Sequence, residues 1–228
     1  KPELFAEVAV KTRNHAIVNP FALFTNPLSV DEVMAAPVLY LDYLTRLMCC
    51  PPTCGAGAAV ICSEKFARRH KVQGKVEIVA QAMATDTEAT WDDPIKLVGA
   101  DMTRRAAEAV FEQSGLGVSE VDVVELHDCF SVNEVITYEG LGLCGQGEAT
   151  AFVAAGDNTY GGKFVVNPSG GLMSKGHPIG ATGLAQCYEL VNQLRGSAGQ
   201  RQVPNAKIGL QHNLGLGGAA VVTMYRSA

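Results

Sequence analysis

An α/β layered fold with a largely buried sheet is what this sequence predicts, on three observations. Runs such as KVEIVAQAMAT (75–85), VDVVEL (121–126) and AAVVTMY (219–225) are rich in β-branched residues and have strand character. Helical spacing of apolar residues separates them, most clearly in DMTRRAAEAVFEQSG (101–115) and in TGLAQCYELVNQLRG from Thr182. Polar stretches stand at strand or loop ends, which is where open α/β sheets collect their ligands.

Taken in order, residues 3–16 have apolar positions at helical spacing and start abruptly, without a capping residue, like a helix entered part-way. Residues 17–37 contain Pro20, Asn26, Pro27 and Pro37 and are predicted to be a turn-rich surface excursion, longer than an ordinary connection. After CCPPTCGAG comes AAVIC (58–62), a strand-like run, then a helix with Ser63 as its N-cap. The strand at 75–85 is followed by a loop around 91–96. The helix at 101–115 has Asp101 or Thr103 as candidate caps and Gly115 as its stop. The strand at 121–126 runs straight into HDCF, and SVNEVITYEGLGL has helical spacing with Ser131 as a possible cap. KFVVN, the helix after Gly183, and two closing strands at 207–211 and 219–225 complete the alternation, and no internal repeat is visible.

Apolar residues make up 47% and charged residues 18% of 228, the composition of a folded chain able to bury a sizeable core. A net charge of −5, with no basic run interleaved with aromatics, gives nucleic acid no purchase. No apolar run approaches the roughly 18 residues that cross a bilayer, so no transmembrane segment is expected. Seven cysteines at irregular spacing point to reduced thiols rather than a disulfide framework. Cys49, Cys50, Cys62 and Cys187 read as small buried hydrophobes, and His15 and His70 as solvated. No targeting signal is legible.

Chemistry gathers at three polar stations: HDCF (127–130), GHP (176–178) and QHNLGLGG (211–218). His177 sits among glycines and prolines just before a helix, whose N-terminal N–H groups and positive dipole end suit an anion or a developing oxyanion. Convergence of the strand ends would put His127, Cys129 and His177 around one pocket. An imidazole can take a thiol proton or donate to an oxyanion, and a helix N-terminus or imidazolium draws a thiol pKa from about 8.5 toward neutrality. Acyl transfer through thioesters would use all of these. The residues alone leave other readings open: HDC as half of a metal site, though neither C-x-x-C nor H-x-x-x-H spacing occurs, and His212 as either structural or catalytic.

Asn167–Gly183, NPSGGLMSKGHPIGATG, resembles the signature of thiolases. Together with ELHDCF, GDNTYGGKFVVNPSGG and QHNLGLGGAAVVTMY it makes the chain similar, over nearly its whole length, to thiolases of the sterol carrier protein type. HDCF stands where common thiolases carry N-E-A-F. The resemblance implies a thiolase-like layered sandwich of helices and mixed five-stranded sheets. Residues 1–45 would be part of the loop domain and 46–228 the carboxyl-terminal domain, with the amino-terminal half and its C-x-S nucleophile absent.

By the same resemblance His177 is the base that activates the nucleophile and donates to an oxyanion hole, and His127 helps build that hole. Cys129 is the acid/base thiol, because Gly215-Leu216-Gly217 occupies the usual C-x-G position. Gly217 lends its N–H to a second oxyanion hole. Lys11 and Arg13 are candidate contacts to CoA phosphates. Cys54 departs from the family, which has Asp in the related S-D-G-A-A-A segment. The implied activity is thiolysis of 3-oxoacyl-CoA by CoA, with acyl-CoA and CoA as substrates and no covalently bound cofactor or metal. The implied partners are the amino-terminal half and further copies in a homodimer or higher homo-oligomer, in a peroxisome, glycosome or mitochondrion. Acetoacetyl-CoA condensation and non-catalytic acyl-CoA or lipid binding are the alternatives.

Overall fold

The computed structural model describes residues 1–215 and 218–228. Its centre is a mixed five-stranded sheet in the order β3-β7-β6-β4-β5, comprising β3 (Val76–Thr85), β4 (Val123–Glu125), β5 (Val165–Val166), β6 (Ile208–Gly215) and β7 (Ala219–Ser227). β3, β7 and β6 are antiparallel neighbours, whereas β6, β4 and β5 run parallel. The carboxyl ends of these three parallel strands therefore lie together. β1 (Val38–Tyr40) and β2 (Leu44–Thr45) form a separate small ladder.

Side-chain alternation along β4 divides the core. Val124 joins the larger cluster with Ala6, Val8, Val110 and Tyr138, from α1 (Pro2–Ala16), α5 (Ala100–Ser114) and α6 (Ser131–Gly140). Val123 faces the other way, into a cluster with Val165, Leu190 and Leu194 beneath α8 (Thr182–Leu194). Helices thus cover both faces of the parallel strands. The larger cluster also holds Val33, so residues before and after position 45 share one core.

Several local expectations change. The 17–37 excursion contains a helix, α2 (Val30–Ala35), started by a capping box in which Ser29 and Glu32 satisfy each other's orphan groups. α3 (Glu64–Arg69) is capped by Ser63 as expected. α4 (Pro94–Leu97) is a short turn that Asp93 caps, where a loop was expected, and α7 (Ala149–Ala154) is an element that the spacing did not disclose. AAVIC makes no ladder among the described residues, and Val60 and Ile61 are exposed; strand propensity without a pairing partner leaves extended chain. Gly99 rather than Asp101 or Thr103 caps α5, while Asp101 pairs with Arg104 and Arg105; Gly115, at φ 68°, ends the helix. Phe130 takes the cap position of α6, leaving Ser131 in its first turn. Cys62 is exposed, not buried, and Cys49, Cys50 and Cys187 are half-buried. No helix among the described residues is long and apolar enough to cross a membrane.

Three polar residues of α1 face inward, contrary to expectation. Lys11 is buried and ion-paired with Glu134 of α6, and it donates to the Val166 carbonyl at 3.2 Å. Arg13 is buried, bonds Ser174 Oγ at 3.1 Å and stacks over Phe24, its charge disfavoured by desolvation. Neither side chain is therefore free to meet a phosphate. His15 is buried rather than solvated, held by the Asn167 carbonyl at 3.0 Å and Thr159 Oγ1 at 2.7 Å. Desolvation, the nearby Lys11 charge adding, lowers its pKa to about 3. Because Glu134 is fully buried, Lys11→Met is expected to destabilise the fold by about 3–5 kcal/mol in urea unfolding, and Lys11→Met with Glu134→Leu to recover much of that loss.

Candidate active site

Two loops carry the candidate catalytic groups. β4 ends at Glu125 and delivers Leu126, His127, Asp128 and Cys129. β5 is followed by Asn167, whose φ of 54° turns the chain sharply and whose Oδ1 accepts the Leu126 N–H at 2.8 Å. A π-helical turn, Gly171–Lys175, then leads into Gly176 and His177 just ahead of α8. The rings of His127 and His177 meet edge to face with centroids 4.8 Å apart. The predicted convergence of HDCF and GHP is therefore realised.

A strap that sequence reasoning overlooked joins the loops. Cys49 bridges to Phe130, Cys50 N–H donates to the Cys129 carbonyl at 2.9 Å, and Pro52 bridges to His177. Its cysteines and prolines carry no periodic signal, and only long-range pairing shows its role. An open trough of ≈ 830 Å³ is lined by Cys50, His127, Cys129, His177 and Asn213, among others. Gly215 also borders it, whereas Gly217 lies outside the described residues. His212 does not line the trough: it is fully buried, and its Nε2 meets Thr103 Oγ1 of α5 at 2.9 Å, a structural placement.

The hydrogen bonds around His177 set its tautomer. Thr182 Oγ1 lies 2.7 Å from His177 Nδ1 and donates its single proton to the Pro178 carbonyl at 3.1 Å. It must then accept from Nδ1–H, which leaves Nε2 of a neutral ring as the basic nitrogen. Desolvation, with Lys175 adding repulsion, lowers the His177 pKa and favours that neutral ring. His127 is lowered to about 4 by burial and by His177. Cys129 moves opposite to the shift toward neutrality that its neighbours suggested. Burial, with Cys50 and Asp128 adding, pushes its thiol up to about 12. Such a thiol is a poor resting nucleophile and a proton donor to a developing carbanion.

Residues 82–225 match the family described as thiolase C-terminal domain-like. The chain belongs to the thiolase family. It is 58% identical over 229 aligned positions to sterol carrier protein 2 of Rattus norvegicus, with 99% of this chain and 42% of that protein covered. It is 40% identical to an acetyl-CoA acetyltransferase of Methanothermobacter thermautotrophicus, covering 98% of this chain and 58% of that one. The fold is also that of the Ltp2-ChsH2(DUF35) aldolase, with a TM-score of 0.82 and 21% identity across the whole of this chain and 59% of the other. This thiolase-family chain thus spans under half the length of the sterol carrier protein 2 relative.

Two measurements check this geometry. Thr182→Val, which removes the acceptor, should convert His177 from a single Nδ1–H tautomer to a mixture, read from imidazole nitrogen chemical shifts. Acid sensitivity is the second. His15 and His212 titrate at about 3 when folded, against about 6.5 unfolded, so the unfolded chain binds more protons between those values. Stability is therefore full above about pH 6.5 and falls as pH drops toward 3, by about 2–3 kcal/mol per histidine at pH 4.5. Urea midpoints measured across this range should show the loss, and His15→Gln should reduce its steepness.

Proposed function

We propose that this chain supplies the proton-handling side of a 3-oxoacyl-CoA thiolase, an acyltransferase that cleaves its substrate with CoA. The observation that carries the reading is the pairing of a base-ready His177 with a protonated Cys129 on one trough, with His127 lining it beside them. Similarity to an acetyl-CoA acetyltransferase supports it. By the resemblance to thiolases, the nucleophilic cysteine would belong to a part of the protein outside this chain.

In this scheme His177 Nε2 takes the nucleophile's proton, and the thiolate attacks the 3-oxo carbon. Collapse of the adduct breaks the bond between carbons 2 and 3, leaving an acyl-cysteine and the enolate of acetyl-CoA. Cys129 gives its proton to carbon 2 and releases acetyl-CoA. The resulting Cys129 thiolate then accepts the thiol proton of the incoming CoA. CoA attacks the acyl-cysteine, the shortened acyl-CoA departs, and the nucleophile recovers its proton from His177. Donors from His127 and His177 would stabilise oxyanions along the way.

The full-length protein should release acetyl-CoA from a long-chain 3-oxoacyl-CoA in a CoA-dependent assay. Cys129→Ala should abolish carbon–carbon cleavage yet still allow acyl-enzyme to form from a simple acyl-CoA. His177→Ala should lower acylation by roughly 10²–10⁴-fold. Preference for acetoacetyl-CoA, with net condensation, would favour the synthetic direction instead. Acyl-CoA binding without turnover would favour the lipid-binding alternative.

A further inference from the structure

The scheme above uses His127, Cys129 and His177 and leaves Asp128, which stands between the first two, without a task. Its side chain is fully buried, and a buried carboxyl group requires polar partners. They come from the other catalytic loop: Asp128 accepts the backbone N–H of Leu172 at 2.7 Å and of Met173 at 3.5 Å. Those N–H groups open the π-helical turn that runs directly into Gly176 and His177. Gly171 permits the approach, since its φ is +58° and a Cβ there would lie 2.1 Å from Asp128 Oδ2. Among the described residues Asp128 forms no ion pair, so its directed contacts are made to this turn.

We propose that Asp128 is a positioning residue: docked on the π-helical turn, it sets the spacing between the HDCF and GHP loops and so holds the His127 and His177 rings edge to face. The Asp128 carboxyl group belongs to the same short segment as His127 and Cys129, and the turn belongs to the same segment as His177. One contact therefore fixes all three groups in a common frame. Its catalytic consequence rests on the acyl-transfer reading, whereas its geometric consequence does not. A displacement of about 1 Å between reacting groups can cost about 100-fold in rate, which is the scale on which such a clamp matters.

The test is made on the full-length protein carrying ¹³C only in its histidine rings. Proton–proton cross-relaxation between the His127 and His177 rings reports their contact. It should be present in the unaltered protein and in Asp128→Asn, which keeps an acceptor for Leu172. It should vanish in Asp128→Ala and in Gly171→Ala. In the latter two, kcat for 3-oxoacyl-CoA cleavage should fall roughly 100-fold, with KM changing much less. Folded alanine variants that keep the ring contact and lose only thermal stability would overturn the proposal. Should Asp128→Ala not fold, Gly171→Ala, which leaves the carboxyl group in place, decides between the same two outcomes. Absence of thiolysis in the unaltered protein would count against the acyl-transfer reading alone, and the ring contact would still decide the role of Asp128.

Discussion

Hydrogen bonds among buried groups, rather than contact with water, hold the chain where β4 and β5 stop, with Asn167 Nδ2 and His127 Nδ1 left unpartnered among the described residues. Asn167 is fully buried at that point; its N–H donates to the Val124 carbonyl at 2.7 Å, and its side-chain oxygen accepts Leu126 N–H. Its own carbonyl accepts Nδ1–H of His15, whose other nitrogen then accepts the Thr159 hydroxyl. An unsatisfied amide in such a place costs about 1–3 kcal/mol, so each bond constrains the next. The junction ties α1, β4 and β5 together before any catalytic side chain is placed.

Outward from this junction, buried carboxyl groups, whose pKa values burial raises, organise the loop that carries His177. Glu125, at the end of β4, accepts Ser169 N–H and Ser169 Oγ–H, and Lys175 joins the same group at 3.4 Å. Asp128 accepts the N–H groups of Leu172 and Met173 further along the chain. The glycines of this segment admit these carboxyl groups, and the lysine keeps one of them paired. His177 is held from its other side by Thr182 and by the bridge to Pro52. The loop is consequently anchored at its start, its middle and its end, which holds the His177 ring in one orientation.

Much of this was visible in sequence wherever the signal was local. α5, α8 and the long strands followed from residue periodicity, Ser63 from capping chemistry, and the HDCF and GHP stations from their places after strand-like runs or before a helix. Failures had three physical sources. His15 read as solvated, and Lys11 and Arg13 as phosphate contacts by resemblance, but their helix is packed on most sides and burial imposed partners on all three. The Ser29–Glu32 capping box was a local signal within a proline-rich stretch that masked it. The Cys49–Pro52 strap had no local signal, because its contacts are with residues far along the chain.

What the sequence by itself determined is the set of chemical groups and their immediate carriers: an α/β chain, a histidine before a helix, and a histidine and cysteine at a strand end. Local spacing encodes these through short-range sterics and hydrogen bonding. Only the tertiary structure decided how those groups behave. Burial drives the Cys129 thiol up to about 12 rather than toward neutrality, Thr182 and Pro178 select one tautomer of His177, and His212 is withdrawn from the trough. Desolvation and proton placement depend on what surrounds a side chain from every direction, and those neighbours come from distant parts of the chain.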